Sequence, residues 1–270
     1  MSAEATPQPT IQKLFDLSGQ VALITGASGY LGAAMSSALA EAGATVVCGS
    51  RDQGRASEAA AALPSPHGAR HVGVVLDQLD EQSIEAGFRQ AVEQAGQVDV
   101  LVNNGQQGPP NDLTDVSPDQ FKAHLANAAG YFQLARLVRN HVVDRQVGAS
   151  IVMIGSMYGV VGSYPEAYEG VCSASPVAYH ALKGGVIHMT RHLAVYWADD
   201  GVRVNCLSPG AFPNPDKVPG GLVERLVPRC PMHRMGLPHE LKGAVVFLAS
   251  QASSYMTGQN MLVDGGWTAW

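Results

Sequence analysis

Tyr179 and Lys183 stand four residues apart, a spacing that places two side chains on one face of a helix. A nearby ammonium group favours the phenolate form of a tyrosine and lowers its pKa from ~10. We therefore expect Tyr179 to give or take a proton near neutral pH, with Lys183 tuning it. The spacing is common by chance, so its meaning depends on the elements around it.

Ser156 follows a predicted apolar strand and could donate a second hydrogen bond to an oxygen that gains negative charge during a reaction. The alternative is a hydroxyl that caps the following turn. Tyr179 could likewise be a core tyrosine with a satisfied hydroxyl. His180 lies beside Tyr179 but one residue round the helix, so we expect it to take no part.

Short apolar segments alternate with segments whose apolar residues recur at helical spacing, which predicts a parallel sheet covered on both faces. Asp80 and Ser117 are expected to cap two of the helices. The predicted strands are Val21–Thr25, Thr45–Gly49, Val72–Leu76, Val98–Asn103, Ser150–Gly155, Val202–Leu207 and Met261–Val263. We predict a single doubly wound α/β domain over residues 17–270, with about seven strands, after an N-terminal extension of residues 1–16.

Two long connections rich in Gly and Pro, at about 157–177 and 211–238, follow strand ends at the carboxyl edge of this sheet. Open α/β sheets bind ligands at that edge, so both connections are expected on the substrate side. The first carries aromatic and acidic residues that suit polyhydroxylated ligands, although it could merely pack on itself. Its candidate substrate residues are Tyr158, Tyr164 and Tyr168.

Cationic residues in the second connection could meet a substrate carboxylate through charge-assisted hydrogen bonds. They are Arg229, His233 and Arg234. For Arg234, the alternative is a structural contact that holds the loop.

The Gly-rich segment Thr25–Gly32 joins the first strand to a helix. Glycines permit a tight turn and close backbone approach, and the helix N-terminus offers free N–H groups to a pyrophosphate. The segment therefore predicts a dinucleotide-binding turn. Its candidate binding residues are Gly26, Ser28, Gly29, Tyr30, Leu31 and Gly32.

Ser50 and Arg51 end the second strand, where an acidic residue would bind a ribose hydroxyl and an arginine would accommodate a 2′-phosphate. The pair favours NADP(H) over NAD(H). The alternative is an exposed Arg51 beside a coenzyme without that phosphate, with Asp52 turned inward instead.

The composition excludes several classes of protein. The formal net charge of −6 argues against nucleic-acid binding. The four cysteines show no C-x-x-C pairing, so neither a metal site nor a disulfide framework is expected. The N-terminus lacks a basic and an apolar region, and no apolar run approaches a membrane span. We expect a cytoplasmic protein with a small-molecule substrate.

At this point the chain resembles the short-chain dehydrogenase/reductase family from about Leu17 to Trp267. The motifs that carry the resemblance occur in a fixed order along the chain. They are Thr25–Gly32, Asp77, Val102-Asn103-Asn104, Asn127, Ser156, Tyr179 with Lys183, Arg203–Gly210, Thr257-Gly258-Gln259 and Val263–Gly266. Ser156-Met157-Tyr158-Gly159 and the Gly-Gly-Trp ending are similar to gluconate 5-dehydrogenase-like and other sugar-acid oxidoreductases.

The resemblance implies an alcohol–ketone oxidoreductase that uses NADP or NAD. Tyr179 would be its acid/base, Lys183 would lower the Tyr179 pKa and bind the nicotinamide ribose, and Ser156 would hold the substrate oxygen. Asn127 would position a water that links Lys183 to solvent; the alternative is a mid-helix side chain that faces solvent or bonds the previous turn. Further coenzyme contacts are implied at Asp77, Gln78, Asn103, Pro209, Gly210 and Phe212.

The chain departs from the family pattern at several points. Tyr30 replaces a glycine of the turn, and Gln106 puts a bulky polar side chain near the coenzyme groove and the substrate. The segment between Ser156 and Tyr179 is about ten residues longer than usual. The threonine that commonly follows Pro209-Gly210 has no obvious equivalent.

Two other functions stay open at this stage. Relatives similar to halohydrin dehalogenases use a Ser–Tyr pair without a nicotinamide, but Lys183 and Gly26 argue against that class. A non-catalytic nucleotide-sensing or scaffold protein is the other. The resemblance also implies a homo-oligomer, a tetramer or dimer, built from the helices that begin near Ser117 and Tyr179.

Overall fold

The strands of the computed structural model, which describes residues 8–66, 68–108 and 113–270, form one parallel sheet. Its seven strands lie in the order β3-β2-β1-β4-β5-β6-β7. They are β1 (Val21–Thr25), β2 (Thr45–Ser50), β3 (Val72–Val75), β4 (Val100–Asn103), β5 (Ala149–Ile154), β6 (Val202–Pro209) and β7 (Asn260–Val263). Every predicted strand is present, and the predicted parallel sheet is confirmed.

Helices cover both faces of the sheet, as predicted. They are α1 (Ile11–Phe15), α2 (Tyr30–Glu41), α3 (Gln53–Ala61), α4 (Glu81–Ala95), α5 (Pro118–Asp144), α6 (Pro165–Tyr168), α7 (Val177–Tyr196), α8 (Gly220–Leu226) and α9 (Lys242–Ala249). Because strand side chains alternate in direction, Leu23 and Leu101 pack against α4, α5 and α7. Ile24 and Val102 pack on the opposite face, against α2 and α9.

Helix starts follow the expected capping chemistry. The Asp80 side chain accepts hydrogen bonds from the backbone N–H groups of Gln82 and Ser83 at the start of α4. Ser117 forms a capping box with Gln120, and Pro118 occupies the first position of α5. Both caps were predicted from the sequence. They fix where α5 begins, and therefore where its residues lie beneath the carboxyl edge.

The chain changes direction across the sheet between β1 and β4, which is where a doubly wound fold opens a ligand cleft. Thr25 holds the two strand ends together, because its hydroxyl accepts hydrogen bonds from the N–H groups of Asn104 (2.9 Å) and Gly105 (2.8 Å). Gly26 adopts φ +65°, and a Cβ on Gly32 would overlap the Gly26 carbonyl oxygen. The Gly-rich turn therefore sits tightly against α2 at the mouth of this cleft.

The two long connections pack against each other in a third apolar cluster, which contains Met157, Tyr168, Leu222 and Trp267. Arg225 in α8 also donates hydrogen bonds to three backbone carbonyls at and after α6, those of Glu166, Ala167 and Glu169. The connections consequently form one cover beside the carboxyl edge. None of the described helices is long and apolar enough to cross a membrane.

Two helical glycines give a matched test of the packing beneath the cleft. A Cβ on Gly130 in α5 would overlap the Gln78 carbonyl oxygen, whereas a Cβ on Gly185 in α7 would meet no heavy atom within 4 Å. We expect Gly130→Ala to destabilise the protein by about 1–3 kcal/mol through overpacking. Gly185→Ala should stabilise it by roughly 0.5–1 kcal/mol through helix propensity. Urea unfolding measures both; equal effects of the two substitutions would contradict the packing described.

Candidate active site

Two adjoining cavities lie along the carboxyl edge of the sheet. The first, the turn cavity, has a volume of about 310 Å³ and is lined by Thr25, Gly26, Ser28, Gly29, Ser50, Arg51, Arg55, Leu76, Gln78, Gly105, Gln106, Gln107 and Lys217. The second, the tyrosine cavity, has a volume of about 240 Å³ and is lined by Leu31, Asn104, Gln106, Ile154, Gly155, Ser156, Tyr179, Lys183, Pro209, Gly210 and Phe212. Gln106 lines both, so the cavities adjoin at its side chain.

The tyrosine cavity brings together three of the predicted catalytic residues. Ser156 follows β5, and its side chain shares a hydrogen bond with the Tyr179 side chain. Lys183, one turn further along α7, is 2% exposed, and its Nζ lies 5.7 Å from the centre of the Tyr179 ring. Ser156 also accepts a hydrogen bond from the Tyr158 N–H (3.1 Å), so it caps the next turn as well as facing Tyr179.

The pKa of Tyr179 does not shift in the expected direction. The Lys183 Nζ donates a 2.7 Å hydrogen bond to the Ile154 carbonyl oxygen. Burial raises the pKa of Tyr179 above its usual value, while the hydrogen bond with Ser156 acts in the opposite sense. The expectation of a lowered Tyr179 pKa is therefore wrong for this arrangement. The amine is itself affected, since burial lowers the pKa of Lys183 to about 8.

Asn127 is fully buried in α5, and its side chain holds the segment that follows β4. Its Oδ1 accepts from Gln78 Nε2 (2.7 Å) and the Gln107 N–H (3.0 Å), and its Nδ2 donates to the carbonyls of Gln107 (2.6 Å) and His124 (2.7 Å). These four bonds occupy both protons and both lone pairs. The side chain has none left for the water that the resemblance implies.

Asn103 and Asn104 have different roles. The Asn103 side chain is buried and donates to the Tyr131 carbonyl oxygen (3.0 Å), so the expectation that it lines the coenzyme groove is wrong. The alternation of side chains along β4 turns it into the helix layer. Asn104 lines the tyrosine cavity instead, and its Nδ2 donates to the carbonyl oxygens of Thr25 and Gly26. Sequence reasoning missed this residue, although it adjoins the strand end.

The turn cavity contains most of the residues predicted for the coenzyme's phosphates and adenosine. Arg51 lines it, and its Nη1 donates to Gln107 Oε1 (2.5 Å). Gln107 in turn donates to Asp77 Oδ1 (3.0 Å), which places Asp77 at the same end. Arg55 and Lys217 also line this cavity and were not predicted. No sequence signal marked Lys217, because it lies in the irregular segment after β6.

The Asp52 side chain caps helix α3, and Asp52 does not line the turn cavity. Its Oδ1 accepts a hydrogen bond from the Arg55 N–H (2.8 Å) at the start of α3. Tyr30 opens α2 with 36% of its surface exposed, and the residues that line the two cavities do not include it.

Aromatic residues of the first connection gather beside Tyr179. The hydroxyls of Tyr158 and Tyr168 lie 2.9 Å apart, and the His180 ring stacks on Tyr158 at 4.7 Å. His180 therefore contacts the first connection, which returns to that side of α7, and the expectation that it takes no part in the chemistry stays a prediction. Tyr164 contacts the Trp267 ring and the Arg229 guanidinium.

Of the three residues predicted to meet a substrate carboxylate, Arg229 and Arg234 are bound to protein groups and His233 is exposed. Arg229 pairs with Glu166 at 2.5 Å, and Arg234 makes two hydrogen bonds to the Glu240 carboxylate. Arg234 thus makes the structural contact named as its alternative role. In residues 8–66, 68–108 and 113–270, no cluster of three His, Cys, Asp or Glu side chains could hold a metal ion.

Comparisons with known proteins agree with this geometry. A family model described as enoyl-(acyl carrier protein) reductase matches residues 26–268. Galactitol 2-dehydrogenase of Rhizobium johnstonii is 35% identical over 96% of this chain and 99% of its own length. NADP-dependent mannitol dehydrogenase of Alternaria alternata is 32% identical over 97% of this chain and 98% of its own.

A solved structure is also similar throughout. The gluconate 5-dehydrogenase of Burkholderia cenocepacia, crystallised with NADP and tartrate, is 30% identical and has a TM-score of 0.86. The match covers 97% of this chain and 100% of that one. The sheet order, the Gly-rich turn and the Ser156–Tyr179–Lys183 cavity occur together with these matches, and the chain belongs to the short-chain dehydrogenase/reductase family of oxidoreductases.

Proposed function

We propose that the protein is an NAD(P)-dependent dehydrogenase that interconverts a secondary alcohol and a ketone on a sugar, sugar acid or polyol. The observation that carries the proposal is the tyrosine cavity, where Ser156 and Tyr179 face a space that adjoins the Gly-rich turn. The names of the relatives, a galactitol, a mannitol and a gluconate dehydrogenase, support this substrate range. They give no support to a non-catalytic role.

The residues present fit a dinucleotide. Gly26 has a positive φ, and a Cβ there would come within 2.9 Å of the Gly105 Cα, so the turn needs a glycine to pack against the segment after β4. The helix α2 begins directly after this turn and directs its N-terminal N–H groups toward it. Pro209, Gly210 and Phe212 would flank the nicotinamide in the tyrosine cavity.

The coenzyme, when bound, supplies or accepts the hydride. In carbonyl reduction Tyr179 donates its phenolic proton to the oxygen that becomes the alcohol, and in alcohol oxidation it takes that proton back. Ser156 donates a hydrogen bond to the same oxygen and stabilises its developing negative charge. Lys183 holds α7 against the end of β5 and keeps a positive charge near the phenol at neutral pH.

The proposed coenzyme is NADP(H). Arg51, Arg55 and Lys217 all line the turn cavity and make it cationic, which suits a 2′-phosphate. Asp52, the residue that would instead favour an unphosphorylated ribose, caps α3. A cytoplasmic location and a homo-oligomer are part of the same proposal. Exposed apolar residues on α5 and α7, namely Phe132, Val195 and Tyr196, support assembly through these helices.

Tyr179→Phe tests the central role. Removing the phenolic proton should lower turnover of any accepted alcohol by at least about 10²-fold, because general acid–base catalysis contributes that much or more. The coenzyme dissociation constant should stay within about threefold, since the ring remains. Steady-state rates and fluorescence titration measure the two, with the exposed Tyr255→Phe as the matched control. Activity within tenfold of the parent would refute the assignment.

Arg51→Gln tests the coenzyme preference. Loss of the guanidinium should raise the KM for NADPH about tenfold, the loss expected for one charge-assisted contact of roughly 1.4 kcal/mol, and leave the KM for NADH within about twofold. Arg136→Gln, which removes a cation lying over Phe132 on α5, is the control. Equal changes for both coenzymes would show that Arg51 does not recognise the 2′-phosphate.

Lys183→Met tests the electrostatics of the buried amine by pH. The folded-state pKa of Lys183 is about 8, below the usual 10.5, so the unfolded chain binds the extra proton between these values. The Lys183 contribution therefore makes the parent more stable as pH rises from 8 to 10.5, by at most about 1.4 kcal/mol per pH unit. The variant should lack this gain in urea unfolding. Parallel pH profiles for variant and parent would contradict the lowered pKa.

A further inference from the structure

The substrate side offers hydroxyl groups, and the lysine of the second connection, Lys217, lines the turn cavity rather than the tyrosine cavity. Within the described chain, all three arginines of the second connection contact protein groups. Arg225 donates to backbone carbonyls of the first connection, Arg229 pairs with Glu166, and Arg234 pairs with Glu240. A substrate carboxylate buried here would lack the charge-assisted partner that offsets its desolvation. An uncharged ligand does not have this cost.

Two phenols supply the polar groups instead. Tyr158 and Tyr168 share one hydrogen bond of 2.9 Å, which uses one of their two protons. Among the described residues neither hydroxyl makes another hydrogen bond, so the pair still offers one O–H donor and several acceptor lone pairs. Tyr168 is 9% exposed, the Tyr158 N–H donates to Ser156 Oγ, and the His180 ring that stacks on Tyr158 has its centre 6.3 Å from that of the Tyr179 ring. The pair thus lies close to the proposed acid/base.

Contacts with other segments of the chain hold each of the two tyrosines in place. The His180 ring stacks on Tyr158, with ring planes 22° apart, and His180 Nε2 lies 3.0 Å from Ser175 Oγ. Tyr168 ends α6, whose carbonyls are held by Arg225. Burial lowers the pKa of His180, which keeps its ring uncharged at neutral pH.

We propose that the Tyr158–Tyr168 pair binds the hydroxyl groups next to the reacting carbon of an uncharged polyol or its ketose, with His180 as a positioning residue. This rests on the proposed function and narrows it: a sugar acid is the poorer substrate. The pair provides one donor and several acceptors within hydrogen-bond reach of one another, which matches vicinal hydroxyls. A site that hydrogen-bonds substrate hydroxyls also rejects ligands that lack them.

The test compares kcat/KM for hexitols (galactitol, D-mannitol, D-sorbitol), D-gluconate and cyclohexanol. We expect the best hexitol to exceed gluconate at least about tenfold. Tyr168→Phe should lower the ratio of hexitol to cyclohexanol kcat/KM about tenfold, mainly through the hexitol KM, while Tyr255→Phe leaves the ratio unchanged. His180→Ala should lower the ratio in the same way, and His180→Phe, which can still stack, should restore it.

The outcomes separate the two proposals. Gluconate turned over as well as the best hexitol, or Tyr168→Phe changing hexitol and cyclohexanol alike, overturns the polyol assignment and leaves the dehydrogenase assignment standing. If His180→Ala and His180→Phe behave alike, His180 does not position the pair. If no secondary alcohol is oxidised with either coenzyme, both proposals fall together.

Discussion

A buried ammonium group sets the geometry of the active site. Lys183 is 2% exposed, and its charge is compensated by the Ile154 carbonyl oxygen and by the faces of two tyrosine rings, Tyr131 and Tyr179. Burial of a cation is costly unless such contacts are made, so the amine has few alternative positions. Because Ile154 lies two residues before Ser156, the contact fixes α7 against the end of the strand that precedes the second proposed catalytic hydroxyl.

The coenzyme cleft depends on a separate constraint, the contact between β1 and β4. The Thr25 hydroxyl accepts hydrogen bonds from the backbone N–H groups of Asn104 and Gly105. The side-chain amide of Asn104 in turn donates to the carbonyl oxygens of Thr25 and Gly26 in the Gly-rich turn. The segment that follows is then held from below by Asn127 in α5, through both backbone groups of Gln107. The buried Asn127 side chain therefore joins the segment after β4, which lines both cavities, to helix α5.

The sequence predicted most of the fold because the relevant signals are local. Continuous apolar runs marked all seven strands, and Asp80 and Ser117 marked helix starts through side chains that bond only a few residues away. The direction of the Asn103 side chain, toward α5, also follows from a local rule, because side chains alternate along a strand. The family resemblance led us instead to expect this side chain in the coenzyme groove.

What the sequence did not predict depends on contacts between distant segments. The Tyr179–Lys183 spacing gave a shared helix face but could not show that burial of the phenol would raise the Tyr179 pKa, nor that the amine would bond a strand carbonyl. His180 gained its stacking partner because the first connection returns to α7. Lys217 lines the turn cavity because of the course of the irregular segment after β6, which no sequence periodicity predicts. Each of these outcomes required the course of a long loop to be known.

The segment after β6 forms one wall of the tyrosine cavity and departs from the family pattern. Phe212 lines the tyrosine cavity where the family commonly has a threonine hydroxyl nearby, and Pro213 and Pro215 bring no backbone N–H. A hydrogen bond from Gly236 to the Ala211 carbonyl (2.9 Å) keeps this wall in place. A flat ring bound here would be held by packing rather than by side-chain hydrogen bonds. The polar groups proposed to bind the substrate, those of Ser156, Tyr179 and the phenol pair, lie instead after β5 and in α7.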